Sequence, residues 1–72
     1  MTTADIINID TAIMGGTPVF RGTRVPVQSL FDHLEGNIPL HEFLDDFPSV
    51  SKQQAVSLLE LALATVLEKR RS

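Results

Sequence analysis

The chain has 72 residues, a formal net charge of −3, no cysteine and 43% hydrophobic residues. This length predicts one small domain over residues 1–72, and the ordinary hydrophobic content argues against intrinsic disorder. Without cysteine the chain has neither disulfides nor thiolate metal sites, so association with another chain is the remaining common way to stabilise so small a core.

Charge and hydropathy also bear on where the protein works. The N-terminal "MTTADIINID" lacks the basic residues and the apolar run of a signal peptide. The longest apolar stretch, "LLELALATVL", contains Glu60 and is too short to span a bilayer. We therefore expect no membrane association and a location in the cytoplasm of a bacterium. The negative charge argues against general binding of polyanions, although a local basic patch is compatible with it.

The N-terminal third of the chain predicts a β-hairpin region, because β-branched residues alternate there with turn residues. Short strands are expected at Ile6–Ile9 and within "AIMGG" (residues 12–16), where Gly15-Gly16 is a turn signal. The main hairpin is predicted to pair Pro18–Phe20 with Thr23–Val25. Its turn needs a residue with positive φ, which Gly22 supplies with the least strain, in a type I turn followed by a bulge.

The rest of the chain predicts helices, because its apolar residues recur at helical spacings of three and four. Helix one is predicted at Val27–Glu35, with Pro26 suited to its first turn. Gly36 or Asn37 is expected to close this helix in the left-handed conformation. Its apolar stripe consists of Val27, Leu30, Phe31 and Leu34.

Two further helices follow. Helix two is predicted at Pro39–Phe47 and is ended by Pro48. Its apolar stripe consists of Leu40, Phe43, Leu44 and Phe47. Helix three opens at Ser51, whose hydroxyl caps it while Gln54 closes a capping box. It is expected to continue to Lys69 or Arg70, and the charges of Lys69, Arg70 and Arg71 suit the negative end of its dipole.

These elements predict a mainly α fold, with a β-hairpin region at residues 1–25 and a three-helix, helix-turn-helix bundle at residues 26–72. In a helix-turn-helix the first residues of the last helix approach base edges and phosphates. The candidate DNA contacts at this position are Ser51, Lys52, Gln53 and Gln54. The same four residues are equally typical of an ordinary capping box with solvated side chains, since one lysine attracts phosphate only weakly.

No arrangement of residues predicts catalysis. His33 and His41 lie beside acidic residues on predicted helix surfaces, and we interpret both as solvated. Asp45 and Asp46 are adjacent in a helix, so they do not face one another as two metal ligands would. The glycine-containing segment lacks the Gly-Lys-Ser/Thr ending of a phosphate-binding loop. We therefore expect no enzyme activity, no metal and no cofactor.

Arg21 and Arg24 have two interpretations. In the structural one, Arg21 is exposed in the turn and Arg24 pairs with Asp10 or Asp32. In the functional one, both arginines contact DNA phosphates or an acidic site on a partner, because a planar guanidinium suits either. The sequence leaves both interpretations open.

Helix three has an apolar face that covers roughly half of its circumference at 100° per residue. An uncovered surface of this kind is typical of a protein interface. The a/d spacing of a helix pair across a two-fold axis is found at Val56, Leu59, Leu63 and Val66. We therefore predict a homodimer through these four residues. The alternative is that helix one and the hairpin bury the whole face.

Three segments of the sequence, "GTPVFRGTRVPV", "SLFDHLEGN" and "IPLHEFLDDFPSVSKQQAVSLLELA", resemble a family of small bacterial and archaeal proteins. This family is known as a domain of unknown function and its members are regarded as predicted antitoxins. The resemblance runs from Ile6 to about Ala64. It implies a homeodomain-like, tri-helical fold with an N-terminal β element, and a PIN-like ribonuclease toxin, encoded beside the protein, as its partner.

Two functions are compatible with the sequence. The first is an antitoxin of a type II toxin–antitoxin system, which neutralises a PIN-like ribonuclease toxin by direct binding and binds its own operator DNA. The second is a protein-interaction or dimerisation module that makes no DNA contact. Salt-dependent binding to the protein's own promoter separates the two, because phosphate contacts release counterions.

Overall fold

The chain folds into a short antiparallel hairpin followed by helices, as a computed structural model of residues 2–12 and 14–71 describes it. The elements in chain order are α1 (Thr3–Ile6), β1 (Ile7–Asn8), a 3₁₀ turn (Met14–Gly16), β2 (Val19–Phe20), α2 (Gln28–Glu35), α3 (Leu40–Asp46) and α4 (Lys52–Arg71). The predicted fold, mainly helical with an N-terminal hairpin, is confirmed at this level. The described part of the chain contains four helices and not the three predicted.

The additional helix, α1, is a single turn. The backbone N–H and the hydroxyl of Thr2 each donate to the Asp5 carboxylate at 3.0 Å, which fixes the start of this turn. Ile6, the last residue of the helix, is only 2% exposed. The strand predicted at Ile6–Ile9 is therefore too long. Only Ile7–Asn8 pair as a strand, because the capped turn holds Ile6 in the helix.

The two strands pair antiparallel, with β2 also contacted by the chain that follows it. The register places Ile7 opposite Phe20 and Asn8 opposite Val19. After the turn, the Val25 carbonyl accepts a hydrogen bond from the Phe20 N–H at 2.9 Å, and Pro26 forms an isolated bridge with Val19. As predicted, the chain turns back after Phe20 and the following residues contact β2. The strand that pairs with β2 is however β1 and not Thr23–Val25.

The strand expected within "AIMGG" is wrong where the structure describes it, whereas the turn expected at Gly15-Gly16 is present. Met14–Gly16 forms a 3₁₀ turn in which φ is 67° at Gly15 and 91° at Gly16. These left-handed values favour glycine and are incompatible with an extended strand. Ile13, which the prediction includes, lies outside the described residues.

The turn after β2 depends on Gly22, whose φ is 80°. The Thr23 N–H donates to the Phe20 carbonyl at 3.0 Å, so Gly22 is the third residue of a four-residue turn. A positive φ at this position is the requirement of a type II turn, so the predicted positive φ is confirmed and the predicted type I turn is wrong. The Thr23 hydroxyl donates to the Phe20 carbonyl and accepts from the Val25 N–H, at 2.8 and 3.0 Å, which closes the loop.

The three later helices lie where the helical spacing predicts them. Helix α2 ends at Gly36, and Asn37 then takes the left-handed conformation with φ of 62°. Asparagine adopts this conformation more readily than most residues because its short polar side chain bonds locally. Helix α3 begins after Pro39 and ends before Pro48. The side chains of Lys69–Arg71, expected to suit the dipole of α4, lie outside the described part of the chain.

One apolar core joins the hairpin to the helices. Its members, each at most 5% exposed, are Ile6, Phe20, Leu30, Phe43, Val50, Ala55 and Leu58. Leu30 and Phe43 come from the middle of the stripes predicted for α2 and α3. Leu34, at the end of the α2 stripe, remains 36% exposed, so the buried stripe of α2 is one turn shorter than predicted.

His33 lies in an aromatic cluster between α2 and α3. Its ring packs edge-on against Phe43 and Phe47, at centroid distances of 5.2 and 5.6 Å. Its Nδ1 lies 2.8 Å from the Ser29 carbonyl, and its Nε2 lies 3.4 Å from the Asp46 carboxylate. The interpretation of His33 as a solvated residue is therefore wrong, because the periodicity of one helix does not show where its neighbour packs.

Substitution of Gly22 should destabilise the fold more than the same substitution of Gly36. A Cβ at Gly22 meets no atom within 4 Å, so its cost comes from the positive φ. We expect about 1–2 kcal/mol for Gly22→Ala and more for Gly22→Val. At Gly36 the φ is −85°, which every L-residue adopts, and a Cβ makes ordinary contacts at 3.5 and 3.6 Å.

The matched variant Gly36→Ala should therefore change the free energy of unfolding by less than about 0.5 kcal/mol. Urea denaturation of the three variants at one chain concentration measures the difference. A loss at Gly36→Ala as large as that at Gly22→Ala would contradict the turn described above.

Candidate functional site

Arg21 lies in the turn that follows β2, and it connects three separate parts of the chain. Its backbone N–H donates to the Ile6 carbonyl at 2.8 Å, and its guanidinium donates to the carbonyls of Ala4 and, at 3.5 Å, Ile7. These carbonyls belong to the end of α1, where a helix leaves acceptors free. The Arg21 carbonyl accepts a hydrogen bond from the Gln54 side-chain amide at 3.0 Å. Arg21 therefore joins α1, the hairpin and the first turn of α4.

The charge of Arg21 also acts on the cap of α1. The pKa of the Asp5 carboxyl lies below its ordinary value, chiefly because the Thr2 backbone N–H donates to the carboxylate, then because the Thr2 hydroxyl does so, with a smaller attraction from Arg21. A carboxyl with a lowered pKa in the folded state contributes stability above its ordinary pKa. This contribution is lost as the pH falls through the lowered value.

The first turn of α4 is held by the predicted capping box, which is confirmed. The Gln54 N–H donates to the Ser51 hydroxyl oxygen at 3.0 Å, and the Ser51 N–H donates to Gln54 Oε1 at 3.1 Å. The amide nitrogen of the same Gln54 side chain donates to Arg21. Ser51 and Gln54, two of the four predicted DNA contacts, are thus engaged in building the turn.

Lys52 and Gln53, the other two predicted DNA contacts, are exposed in the same turn. Within the part of the chain that the structure describes, neither makes a side-chain hydrogen bond or an ion pair. Because Gln54 contacts Arg21, these two side chains lie on a turn that adjoins the hairpin. The fold therefore brings Arg21 and the start of α4 together.

Arg24 is exposed on the returning segment of the hairpin. The pairing expected with Asp10 or Asp32 is not formed among the described residues. Asp10 accepts the Ala12 N–H at 2.9 Å, and Asp32 accepts from the Gln28 side-chain amide at 3.1 Å. That structural interpretation of Arg24 is wrong, since Arg24 makes no ion pair within the described residues.

The long helix α4 has an inner part that packs on the fold and an outer α4 segment, residues 63–71, that extends past it. Val56 and Leu59 lie in the inner part, where Val56 is half-buried and Leu59 packs against the core. Leu63 and Val66 lie in the outer α4 segment and are 59% and 55% exposed. Of the four residues predicted to form a dimer seam, two thus contact their own subunit and two are on the surface.

Residues 2–12 and 14–71 contain neither a group of three or more potential metal ligands nor a concave pocket. None of the helices there is both long and apolar enough to cross a membrane. The second histidine, His41, is exposed on α3.

The contact between Gln54 and Arg21 is the feature of this site that sequence reasoning missed. The two residues are 33 positions apart, and each has a local role, in a cap or in a turn, that accounts for it without the other. No periodicity or spacing rule relates them, so only the folded chain reveals the contact.

Gln54→Ala should lower the free energy of unfolding by about 1–2 kcal/mol, because it removes the reciprocal cap and leaves the Arg21 carbonyl without this partner. The matched control is Gln53→Ala, the same substitution one position earlier at an exposed side chain, which should cost less than about 0.5 kcal/mol. Thermal and urea unfolding measure both. Equal costs at the two positions would show that the Gln54 amide does not have the role assigned to it.

Comparison with known proteins places the chain in a family. A search of curated proteins and a search of solved structures each return no significant match. The sequence profile of the family described as "Protein of unknown function (DUF433)" matches residues 7–62. The match begins at β1, includes the hairpin turn, α2 and α3, and ends within α4. Because it covers well over half of the chain, the protein described here belongs to the DUF433 family.

Proposed function

We propose that this protein is the antitoxin of a type II toxin–antitoxin system in the bacterial cytoplasm. In this role it neutralises a PIN-like ribonuclease toxin by direct binding and also binds its own operator DNA. The resemblance of the hairpin turn and the following helices to predicted antitoxins supports the proposal. The structural observation that carries it is the first turn of α4, which presents Lys52 and Gln53 to solvent beside the hairpin.

The DNA-binding part of the proposal rests on the order of the helices. α2, α3 and α4 follow one another through short connections, as in a homeodomain-like helix-turn-helix, where the first turn of the last helix enters the major groove. Lys52 can hold a phosphate and Gln53 can pair with the edge of adenine. The capping box of Ser51 and Gln54 holds these two side chains on a rigid turn.

The arginines differ in what they can add to this surface. Arg24 is exposed and supplies a phosphate contact on the hairpin side. Arg21 already donates to the carbonyls of Ala4 and Ile7, so only its remaining N–H groups are available to a phosphate. We infer that Arg21 contributes mainly by fixing the hairpin against α4. A homodimer would place two such surfaces on one palindromic operator.

The toxin is proposed to bind at the exposed edge of the hairpin. β1 is a terminal strand of the two-stranded sheet, and β2 on its other side is contacted by the returning chain. Ile9, directly after β1, is 66% exposed, and Pro18, just before β2, is exposed as well. The Ile7 backbone is already engaged, since its N–H donates to the Thr3 carbonyl and its carbonyl accepts from Arg21. We therefore infer that the partner covers the apolar Ile9 side chain through side-chain contacts and does not add a strand.

A second candidate function is a protein-interaction or dimerisation module that makes no DNA contact. The net charge of −3 and the single lysine in the first turn of α4 favour it. Few cations mean few released counterions, and therefore a weak electrostatic drive toward DNA.

Operator binding is tested by gel-shift titration of the protein's own promoter at several salt concentrations. Lys52→Ala combined with Gln53→Ala should weaken binding at least about 10-fold and reduce its salt dependence, because one phosphate contact and one base contact are removed. Lys69→Ala makes the same change of charge about 25 Å along α4 and should leave the affinity nearly unchanged. If the wild-type chain gives no salt-dependent shift, the interaction module is the better description.

Toxin neutralisation is tested by co-expression with the PIN-like reading frame encoded beside the protein. The wild-type chain should restore growth that the toxin alone arrests. Ile9→Glu should abolish both rescue and co-purification, because it places a charge on the apolar edge. Leu34→Glu, at an exposed apolar residue of α2, is the control and should still rescue. Full rescue by Ile9→Glu would contradict the hairpin-edge site, and no rescue by the wild-type chain would contradict the antitoxin proposal.

A further inference from the structure

The outer α4 segment carries most of the exposed apolar surface that the structure describes. Every described side chain from Leu63 to Glu68 is exposed. Leu63, Val66 and Leu67 are 59%, 55% and 49% exposed, and they are three of the five large hydrophobic residues exposed in the described part of the chain. The other two lie apart on the hairpin and on α2, so only α4 has a cluster of them.

These three side chains share one face of the helix. At about 100° per residue, Leu63, Val66 and Leu67 fall within an arc of about 100°. Thr65 and Glu68 lie on the opposite face, and the Thr65 hydroxyl donates back to the Leu61 carbonyl at 3.0 Å. The outer α4 segment is therefore amphipathic, although no other element of the described chain covers its apolar side.

The chain exposes more surface than is expected of a compact monomer of its mass. A compact monomer of 7.9 kDa is expected to expose about 4,400 Å². This chain exposes 5002 Å². The excess of about 600 Å² equals what each subunit contributes to a stable interface at the small end of the usual range.

We propose that two copies of this chain associate through the outer α4 segment, with the two helices antiparallel across a two-fold axis. A two-fold axis presents the same apolar face to itself, so one surface covers two exposed stripes. The folded body lies at the inner part of each α4. Parallel helices would bring the two bodies against each other, whereas antiparallel helices place them at opposite ends. The association goes beyond the proposed function and requires neither DNA nor toxin.

The apolar residues complement one another in this arrangement. When Leu63 faces Val66 of the partner subunit, the same register sets Ala62 against Leu67 of the partner subunit, a small side chain against a large one. Because the axis is two-fold, each of these contacts occurs twice in the dimer. Relative to the seam predicted from sequence, the contact moves outward along α4, because Leu59 packs against the core of its own subunit.

The outer α4 segment lies outside the residues that match the family. The match ends at Ala62, and the outer α4 segment begins at the next residue. The hairpin, α2, α3 and the inner part of α4 are what the chain shares with its family. The exposed stripe lies beyond that shared part.

Sedimentation of the full chain at tens of micromolar tests the proposal. The wild-type chain should have twice the monomer mass of 7.9 kDa. Leu63→Glu combined with Val66→Glu should be monomeric, with the dimer Kd raised at least about 100-fold, because each substitution occurs twice in the interface. The variant should keep its helical circular dichroism, since both positions are exposed in the single subunit.

The control is Leu34→Glu, which places the same charge at an exposed apolar residue of α2, away from the outer α4 segment, and should leave the dimer intact. A wild-type chain that sediments as a monomer overturns the proposal, as does a dimer that persists in the double variant. Neither outcome depends on operator or toxin binding, so failure here is distinguishable from failure of the antitoxin function.

The orientation of the two helices is tested by cross-linking, since the chain has no cysteine of its own. A mixture of Leu63→Cys and Val66→Cys chains should form a mixed disulfide faster than either variant alone, because the antiparallel register brings the two positions within bonding range. A parallel pair would instead join each position to itself. Faster cross-linking of the separate variants than of the mixture would overturn the antiparallel arrangement.

Discussion

The hydrogen bond from the Gln54 amide to the Arg21 carbonyl is the polar contact that joins the two halves of the fold. It joins the hairpin turn to the first turn of α4, and the same Gln54 side chain closes the cap at which that helix begins. Arg21 in turn holds the end of α1 through the carbonyls of Ala4 and Ile6. A chain of this size buries only about 60% of the surface that it exposes when unfolded. Polar contacts that join distant elements therefore matter more here than in a larger domain.

The same contact decides which side chains remain for binding. It engages the Gln54 side chain and the Arg21 carbonyl, while the Arg21 guanidinium donates to the carbonyls of Ala4 and Ile7. Lys52, Gln53 and Arg24 are left exposed. Polar side chains are thus presented on a turn that their neighbours hold rigid. With so few cations this surface attracts DNA in general only weakly, which agrees with the net charge of −3.

The inner and outer parts of α4 differ in what they can contact. The helix has 20 residues and is about 30 Å long, which is more than the small core can cover. Its inner part completes the core through Ala55 and Leu58, whereas its outer α4 segment keeps leucine and valine side chains in water. No disulfide can offset this exposure in a chain without cysteine, but pairing can. The hairpin edge, the first turn of α4 and its outer segment are separate surfaces, so one small chain can make three kinds of contact.

Local rules predicted the helix positions, the cap at Ser51 and the positive φ of Gly22, because each depends on residues close together in sequence. They failed at Ile6, whose β-branched side chain is typical of a strand, although a capped turn holds it in α1. They located the first turn of α4 but did not reveal the hydrogen bond between Gln54 and Arg21. They also did not show that the His33 ring packs against Phe43 and Phe47. The sequence by itself therefore determined the helices and their caps, since the hydrogen bonds involved span a few residues. Only the tertiary structure decided the partner of β2, the side chains left free around Arg21 and the division of α4, because burial and long-range hydrogen bonds are set by residues that are distant in the chain.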